Sequence, residues 1–201
     1  MTLTNLKVRG PDDSINTGLQ TRVFVGLRIA PQIAALLAQM IVDLRNPLLR
    51  PVAAGDIHLT LVPPWNECST GVAIDRLARV ADDFAAFLLA FQHIGYGPQP
   101  RRPRLVWVDC AASKEITVLH AALLQAYGRT DERPFQPHVT LARIRADRPS
   151  IIREFPIDQQ LSLTQRIESL ELFQSPPPGE ANYRILASVR LGKTAGPTST
   201  P

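Results

Sequence analysis

In the stretch "RVFVGLRI" the residues Val23, Val25, Leu27 and Ile29 fall on one face, with the two-residue period of a half-buried strand. The period then lengthens. Pro31 suits the first turn of a helix, and Ile33, Leu36, Leu37, Met40, Ile41 and Leu44 recur at helical spacing. Pro47 and Pro51 end that helix. A Gly-Asp turn leads into a strand that carries His58. The same order returns from residue 105. "LVWVDC" reads as a strand, and Ile116, Leu119, Leu123 and Tyr127 share one helical face between Ser113 and Tyr127. Gly128 suits a helix stop, and the polar loop "RTDERP" leads into a strand that carries His138.

More structure follows each unit. After the first, the pattern predicts a helix from Val72 to about Ala90 and a short strand from Phe91 to Tyr96. After the second come a Pro-broken loop and strands at Ile167 to Phe173 and Tyr183 to Leu191, with no clear second helix. "GPQPRRP" from Gly97 reads as the joint between the halves. Residues 1–20 read as a flexible leader and residues 193–201 as a disordered tail. The mixture predicts an α+β fold over residues 21–192, with helices on the outer sheet faces.

The two predicted His strands spell nearly the same phrase, His58-Leu59-Thr60-Leu61 and His138-Val139-Thr140-Leu141. At this chain's threonine frequency, about a quarter of one His-x-Thr is expected by chance. Residues two apart in a strand face the same side, so His58 points with Thr60 and His138 with Thr140. The intervening Leu59, Leu61, Val139 and Leu141 can anchor the strands from the other face. Two imidazoles titrate near neutrality, so one can act as a base while the other acts as an acid. Thr hydroxyls can donate to phosphate oxygens. The set suits metal-free opening of a cyclic phosphate by in-line attack. A lone histidine would more often be structural, holding a backbone carbonyl. A matched pair at equivalent points of a repeat argues otherwise.

Composition adds limits. There are 22 Lys and Arg against 18 Asp and Glu, a formal charge of +4, which permits an anionic partner without demanding one. No apolar run approaches the roughly 18–20 residues of a membrane span, and the N-terminus lacks the apolar core of a secretory signal. Cys68 and Cys110 have no metal-ligand spacing and read as reduced thiols of a cytoplasmic protein. His93 and His120 lie apart from both motifs and read as structural or surface groups. Arg101, Arg102 and Arg104 form a basic cluster that suits either an RNA backbone or a solvated linker. Of the aromatic residues flanking the motifs, Trp65 is a candidate for the cleft rim, where it would stack on a base. Phe135 reads as core, and the role of Arg22 is open.

The doubled His-x-Thr, its settings "IHLTL" and "FQPHVTLAR", the strand "RVFVGL" and the strand "LVWVDC" together resemble the 2H phosphoesterases. Within them the chain is most similar to the bacterial RNA 2′,3′-cyclic phosphodiesterases, the 2′-5′ RNA ligase or LigT-like group. The resemblance runs from about Thr21 to Leu191. It implies a bilobal, duplicated fold with two antiparallel sheets and outer helices around a central cleft, each lobe formed by one repeat. It implies hydrolysis of a terminal 2′,3′-cyclic phosphate on RNA to a 2′-phosphate, with no metal or other cofactor, and in some members a reversible 2′-5′ ligation. By position His58 corresponds to the proton donor and His138 to the acceptor. Thr60 and Thr140 correspond to phosphate-binding hydroxyls, and Arg143 to a basic residue after the second motif. Strand parity points Arg143 away from His138 unless the strand bulges or ends. The partner expected is an RNA end or nucleotide bearing a cyclic phosphate, bound by a monomer away from any membrane. "VPPWNE" departs from the aromatic-Leu-Gly-acidic continuation of many RNA-acting members. That departure keeps two alternatives open, a phosphodiesterase for a small cyclic nucleotide and a non-catalytic RNA-end-binding module.

Overall fold

A computed structural model describes residues 20–99, 102–145, 150–177 and 182–192. The leader through residue 19, Arg101 and the tail from residue 193 lie outside the described residues. In chain order the elements are β1 (Thr21–Arg28), α1 (Pro31–Asp43), β2 (Leu49–Pro51), β3 (His58–Glu67), α2 (Thr70–Asp82), β4 (Phe87–Gly97) and β5 (Leu105–Cys110). Then come α3 (Lys114–Ala126), β6 (His138–Ile144), α4 (Ile151–Glu154), β7 (Gln159–Ile167), β8 (Ser169–Gln174) and β9 (Arg184–Arg190). The fold is α+β.

The strands form one antiparallel sheet in the order β7-β4-β5-β6-β3-β1-β8-β9, with β2 paired on β6. It divides into two four-strand halves that meet where β3 and β6 pair at Leu59 and Val139. Each half draws on both sequence repeats. β4 follows the first motif in sequence but pairs with β5 in the half that holds the second motif. β8 follows the second motif and pairs with β1. This amends the expectation that each repeat forms its own lobe, because the trailing strands are exchanged.

Leu59, Leu61, Val139 and Leu141 share one buried cluster with Leu37 and Ile41 of α1 and Leu119 and Leu123 of α3. The helices therefore cover the sheet face opposite the two histidines. Pro31 opens α1 as expected. Gly128 stops α3 at φ 60°, with its N–H bonded to the Gln125 carbonyl at 3.1 Å. Both cysteines are free thiols, and burial raises the Cys110 pKa to about 12. Among the described residues no helix is long and apolar enough to cross a membrane.

Three elements differ from the sequence reading. Helix α2 stops at Asp82, and residues 87–90 open β4, because Phe87, Leu89 and Phe91 are buried at alternate positions. The Pro-broken loop contains β7, which pairs with β4 and whose outward residues are polar. The weak second helix exists as the four-residue α4.

Leu59 is fully buried at the junction of the half-sheets. Leu59→Ala is expected to lower stability by about 2–5 kcal/mol, measured as a reduced denaturant midpoint at unchanged slope.

Candidate active site

Pairing of Leu59 with Val139 in antiparallel register sets His58 beside Thr140 and Thr60 beside His138, all on the face away from the helices. Each histidine is held in the same way. His58 Nδ1 lies 2.7 Å from the Asp56 carbonyl oxygen, and His138 Nδ1 lies 2.8 Å from that of Gln136. A carbonyl only accepts, so Nδ1 carries the proton in both rings. Nε2 of each ring can then serve as a base when neutral or an acid when protonated.

A bulge follows each motif at the same point. Thr60 pairs with Gly26 and Val62 with Val25, so Leu61 is the extra residue of β3. Thr140 pairs with Trp107 and Ala142 with Val106, so Leu141 is the extra residue of β6. Leu61 and Val62 are both buried, as are Leu141 and Ala142. The bulge reverses the parity beyond it, and Arg143 thereby shares the face of His138 and Thr140. Arg143 lines a cavity of about 200 Å³ together with His58, Thr60, Thr140, Asp56 and Tyr183. A neighbouring cavity of about 560 Å³ shares Thr60 and is lined by His138, Trp107 and Phe135.

The two histidines differ in their surroundings. Phe24 and Phe173 stack at 4.8 Å and flank His58 at 4.8 and 5.4 Å, while Tyr183 stands edge-on to it at 4.8 Å. Among the aromatic rings of the described residues His138 meets Trp107, at 4.3 Å. Trp107 in turn fills space left by Gly97, where a Cβ would come within 2.3 Å of the indole. Burial among aromatic rings holds the pKa of His58 below the ordinary imidazole value. The carbonyl and charge of Asp56 oppose that shift, and the charges of His138 and Arg143 add to it.

Several supporting residues have no signature in the sequence. The Asp56 carboxylate accepts the backbone N–H groups of Asn182 and Tyr183 at 3.2 and 2.9 Å, which fixes Tyr183 against His58 from far along the chain. On the other side the Gln136 side chain donates to Asp109 at 2.9 Å, and Asp109 pairs across the sheet with both His93 and His138. His93 lies between Asp109 and Asp158, at 3.5 and 2.8 Å. His120 is buried and bridges the Leu61 carbonyl oxygen at 2.7 Å and Asp131 at 2.5 Å, with Phe135 stacked on it at 3.7 Å. Both are structural links. Among the described residues no group of three His, Cys, Asp or Glu side chains is placed to hold a metal.

Trp65 is a correction. It is 7% exposed, and its backbone pairs with that of Val23, a core residue of β1. A second irregularity at Pro63 and Pro64 turns its ring to the helix side. There it packs on Tyr127 at 4.8 Å and donates to Glu67 at 3.0 Å. Arg22 and Arg104 are exposed and line neither cavity. The aromatic residues of the site are Phe24, Phe173, Tyr183 and Trp107.

Residues 30–175 match the family model described as the 2′-5′ RNA ligase superfamily. An RNA 2′,3′-cyclic phosphodiesterase of Archaeoglobus fulgidus is 24% identical over 139 residues, covering 65% of this chain and 76% of that protein. One of Aeropyrum pernix is 34% identical over 114 residues, covering 52% of this chain and 64% of that protein. Among solved structures, TT0787 of Thermus thermophilus superposes with a TM-score of 0.72 at 22% identity, over 85% of this chain and 98% of that one. E. coli LigT complexed with 3′-AMP superposes with 0.68 at 22% identity, over 87% and 99%. At that identity these two superpositions speak to the fold.

A titration of the His58 ring signals by NMR should give a midpoint below the ordinary imidazole value. Bound inorganic phosphate should raise it, since a nearby anion favours the charged ring. The unfolded chain then holds more protons than the folded one just below neutrality, so this group's contribution to stability falls as pH drops through the ordinary imidazole value. An unshifted or raised midpoint in the free protein would remove the desolvation argument.

Proposed function

The chain belongs to the 2′-5′ RNA ligase superfamily, and from that premise we propose that it hydrolyses 2′,3′-cyclic phosphate ends of RNA to 2′-phosphates. The observation that carries this reading is the doubled site. Two His–Thr pairs share one tautomer and one bulge geometry, and they meet at the Leu59–Val139 pair. In-line displacement at phosphorus needs a base on one side and an acid on the other.

In the proposed reaction Thr60, Thr140 and the Arg143 guanidinium hold the non-bridging oxygens. His138 Nε2 takes a proton from water as its oxygen bonds to phosphorus. His58 Nε2 gives its proton to the ribose 3′-oxygen as the bond from phosphorus to that oxygen breaks, and the phosphate stays on the 2′-oxygen. Solvent returns both histidines to their starting states. Imidazole, hydroxyl and guanidinium groups supply every proton and contact, so the scheme uses no metal. With a 5′-hydroxyl in place of water, the same groups run a reversible 2′-5′ ligation, in which the bond from phosphorus to the 5′-oxygen forms as that to the 3′-oxygen breaks. Both motifs and Arg143 belong to one chain, so the proposed reaction calls for no second copy. The defining assay is purified protein with an oligonucleotide ending in a 2′,3′-cyclic phosphate, asking which hydroxyl keeps the phosphate.

Burial of His58 opposes its role as acid in the free protein, and a bound phosphodiester anion offsets this by attraction to the imidazolium. The rate should be bell-shaped in pH. The alkaline limb of kcat/KM, which reports free enzyme, should lie at lower pH than the alkaline limb of kcat. Coincident limbs would show that substrate leaves His58 unchanged.

His58→Ala and His138→Ala should each lose on the order of 10²–10⁴ in rate. A substrate with a good leaving group needs no proton at that oxygen, so it should restore much of the loss in His58→Ala and little in His138→Ala. Rescue of the His138 variant instead would exchange the roles. Activity in a strong chelator should persist, and loss restored by one divalent ion would point to metal-assisted hydrolysis.

A further inference from the structure

The two ends of the cleft carry different charge. On the His58 side, Arg143 links the central cavity to a second one of about 530 Å³ that Arg50 and Arg145 also line. Arg50 and Arg143 are direct cross-strand partners on β2 and β6. Like charges placed opposite one another on a sheet repel. Among the described residues neither these two nor Arg145 has a carboxylate within ion-pair distance. Among the described residues the one acidic group lining the adjoining cavity is Asp56, whose carboxylate oxygens accept backbone N–H groups. On the His138 side the cavity is lined by apolar groups, Trp107 and Phe135 among them, and by Asp131 and Glu132 against Arg133. An extended polyanion is favoured at the first end, where three guanidinium groups have no carboxylate partner among the described residues, over the second, where Glu132 stands with Arg133 and the Asp131 carboxylate is held by His120.

We infer that the substrate is an RNA strand whose body leaves the cleft past His58 along Arg50, Arg143 and Arg145. Its terminal ribose then lies on the His58 side, and the water enters on the His138 side. The inference rests on the proposed function and deepens it, since it separates oligonucleotides from mononucleotides and fixes the direction in which the strand lies. It also bears on the acid and the base. The leaving 3′-oxygen belongs to the terminal ribose, so a strand running past Arg50 sets that oxygen nearer His58 than His138. This agrees with His58 as the acid on grounds independent of family position. In ligation, the nucleoside bearing the 5′-hydroxyl would occupy the Trp107–Phe135 cavity.

The test compares a 2′,3′-cyclic mononucleotide with a short oligoribonucleotide bearing the same end. Three proteins are needed: the parent, the double variant R50A/R145A, and R133A at the opposite end. The double variant should lose on the order of tenfold in kcat/KM on the oligonucleotide, carried by KM, and keep its rate on the mononucleotide. The slope of log affinity against log salt for the 2′-phosphorylated product strand should fall by about 0.7 per arginine removed, read by fluorescence anisotropy. R133A should behave as the parent on both substrates. Loss in R133A with none in the double variant would reverse the direction of the strand. Equal loss on both substrates, or no loss on either, would overturn the track. A parent that turns over the mononucleotide but not the oligonucleotide overturns this inference and leaves the cyclic phosphodiesterase chemistry standing. A parent that turns over neither removes both.

Discussion

The site depends on a single backbone pairing, that of Leu59 with Val139. Each residue is fully buried and each stands between a His and a Thr. Core packing on one face therefore fixes the positions of four polar side chains on the other, because alternate residues of a strand point to opposite faces. Neither motif could slip by one residue without turning its His and Thr into the core, so the register is enforced by burial. The proposed in-line displacement needs tight placement of these side chains, and hydrophobic packing is what fixes them.

Much of this was legible in the sequence. The doubled phrase, the strand–helix order before each copy and the helix stop at Gly128 come from local periodicity and turn chemistry, which act over a few residues. What was not legible depends on partners far along the chain. Residues 87–90 follow a helical pattern without a break, and only pairing with β7 and burial of Phe87 and Leu89 make them strand. β7 itself has only Leu161, Leu163 and its terminal Ile167 as apolar residues among polar ones. Trp65 misled because two prolines suggest a loop, whereas the irregularity they introduce turns the ring into the core. The parity of Arg143 required a bulge that the sequence allows but does not announce. Asp56 and Tyr183 meet across 127 positions, and no local signal connects them.

The proposed acid–base pair has a difficulty that duplication alone does not resolve. Two identical imidazoles, held in one tautomer by identical carbonyl contacts, give a cleft with no preferred direction. A substrate has a direction, since one side of phosphorus faces water and the other its own ribose. The asymmetry lies in what surrounds the repeat. At matching positions after matching bulges the first half has Pro63 and the second Arg143. Opposite the matching threonines stand Gly26 and Trp107.

These differences act on the histidines. With a glycine opposite Thr60, the ring of Phe173 comes in from the next strand, 3.3 Å from where a Cβ on Gly26 would stand, and closes over His58 with Phe24. That enclosure depresses the pKa of His58, and an anion bound beside it would raise it again. Arg143 lowers it further until phosphate neutralises the guanidinium. An acid that gains its proton most readily when substrate is present suits the leaving-group side of a phosphoryl transfer. The open, Trp107-backed position of His138 suits the side where water must come and go. On this view the duplicated strands provide two equivalent proton carriers. In the proposed reaction a few unmatched residues, chiefly Phe24, Phe173, Tyr183 and Arg143, would give those carriers their order.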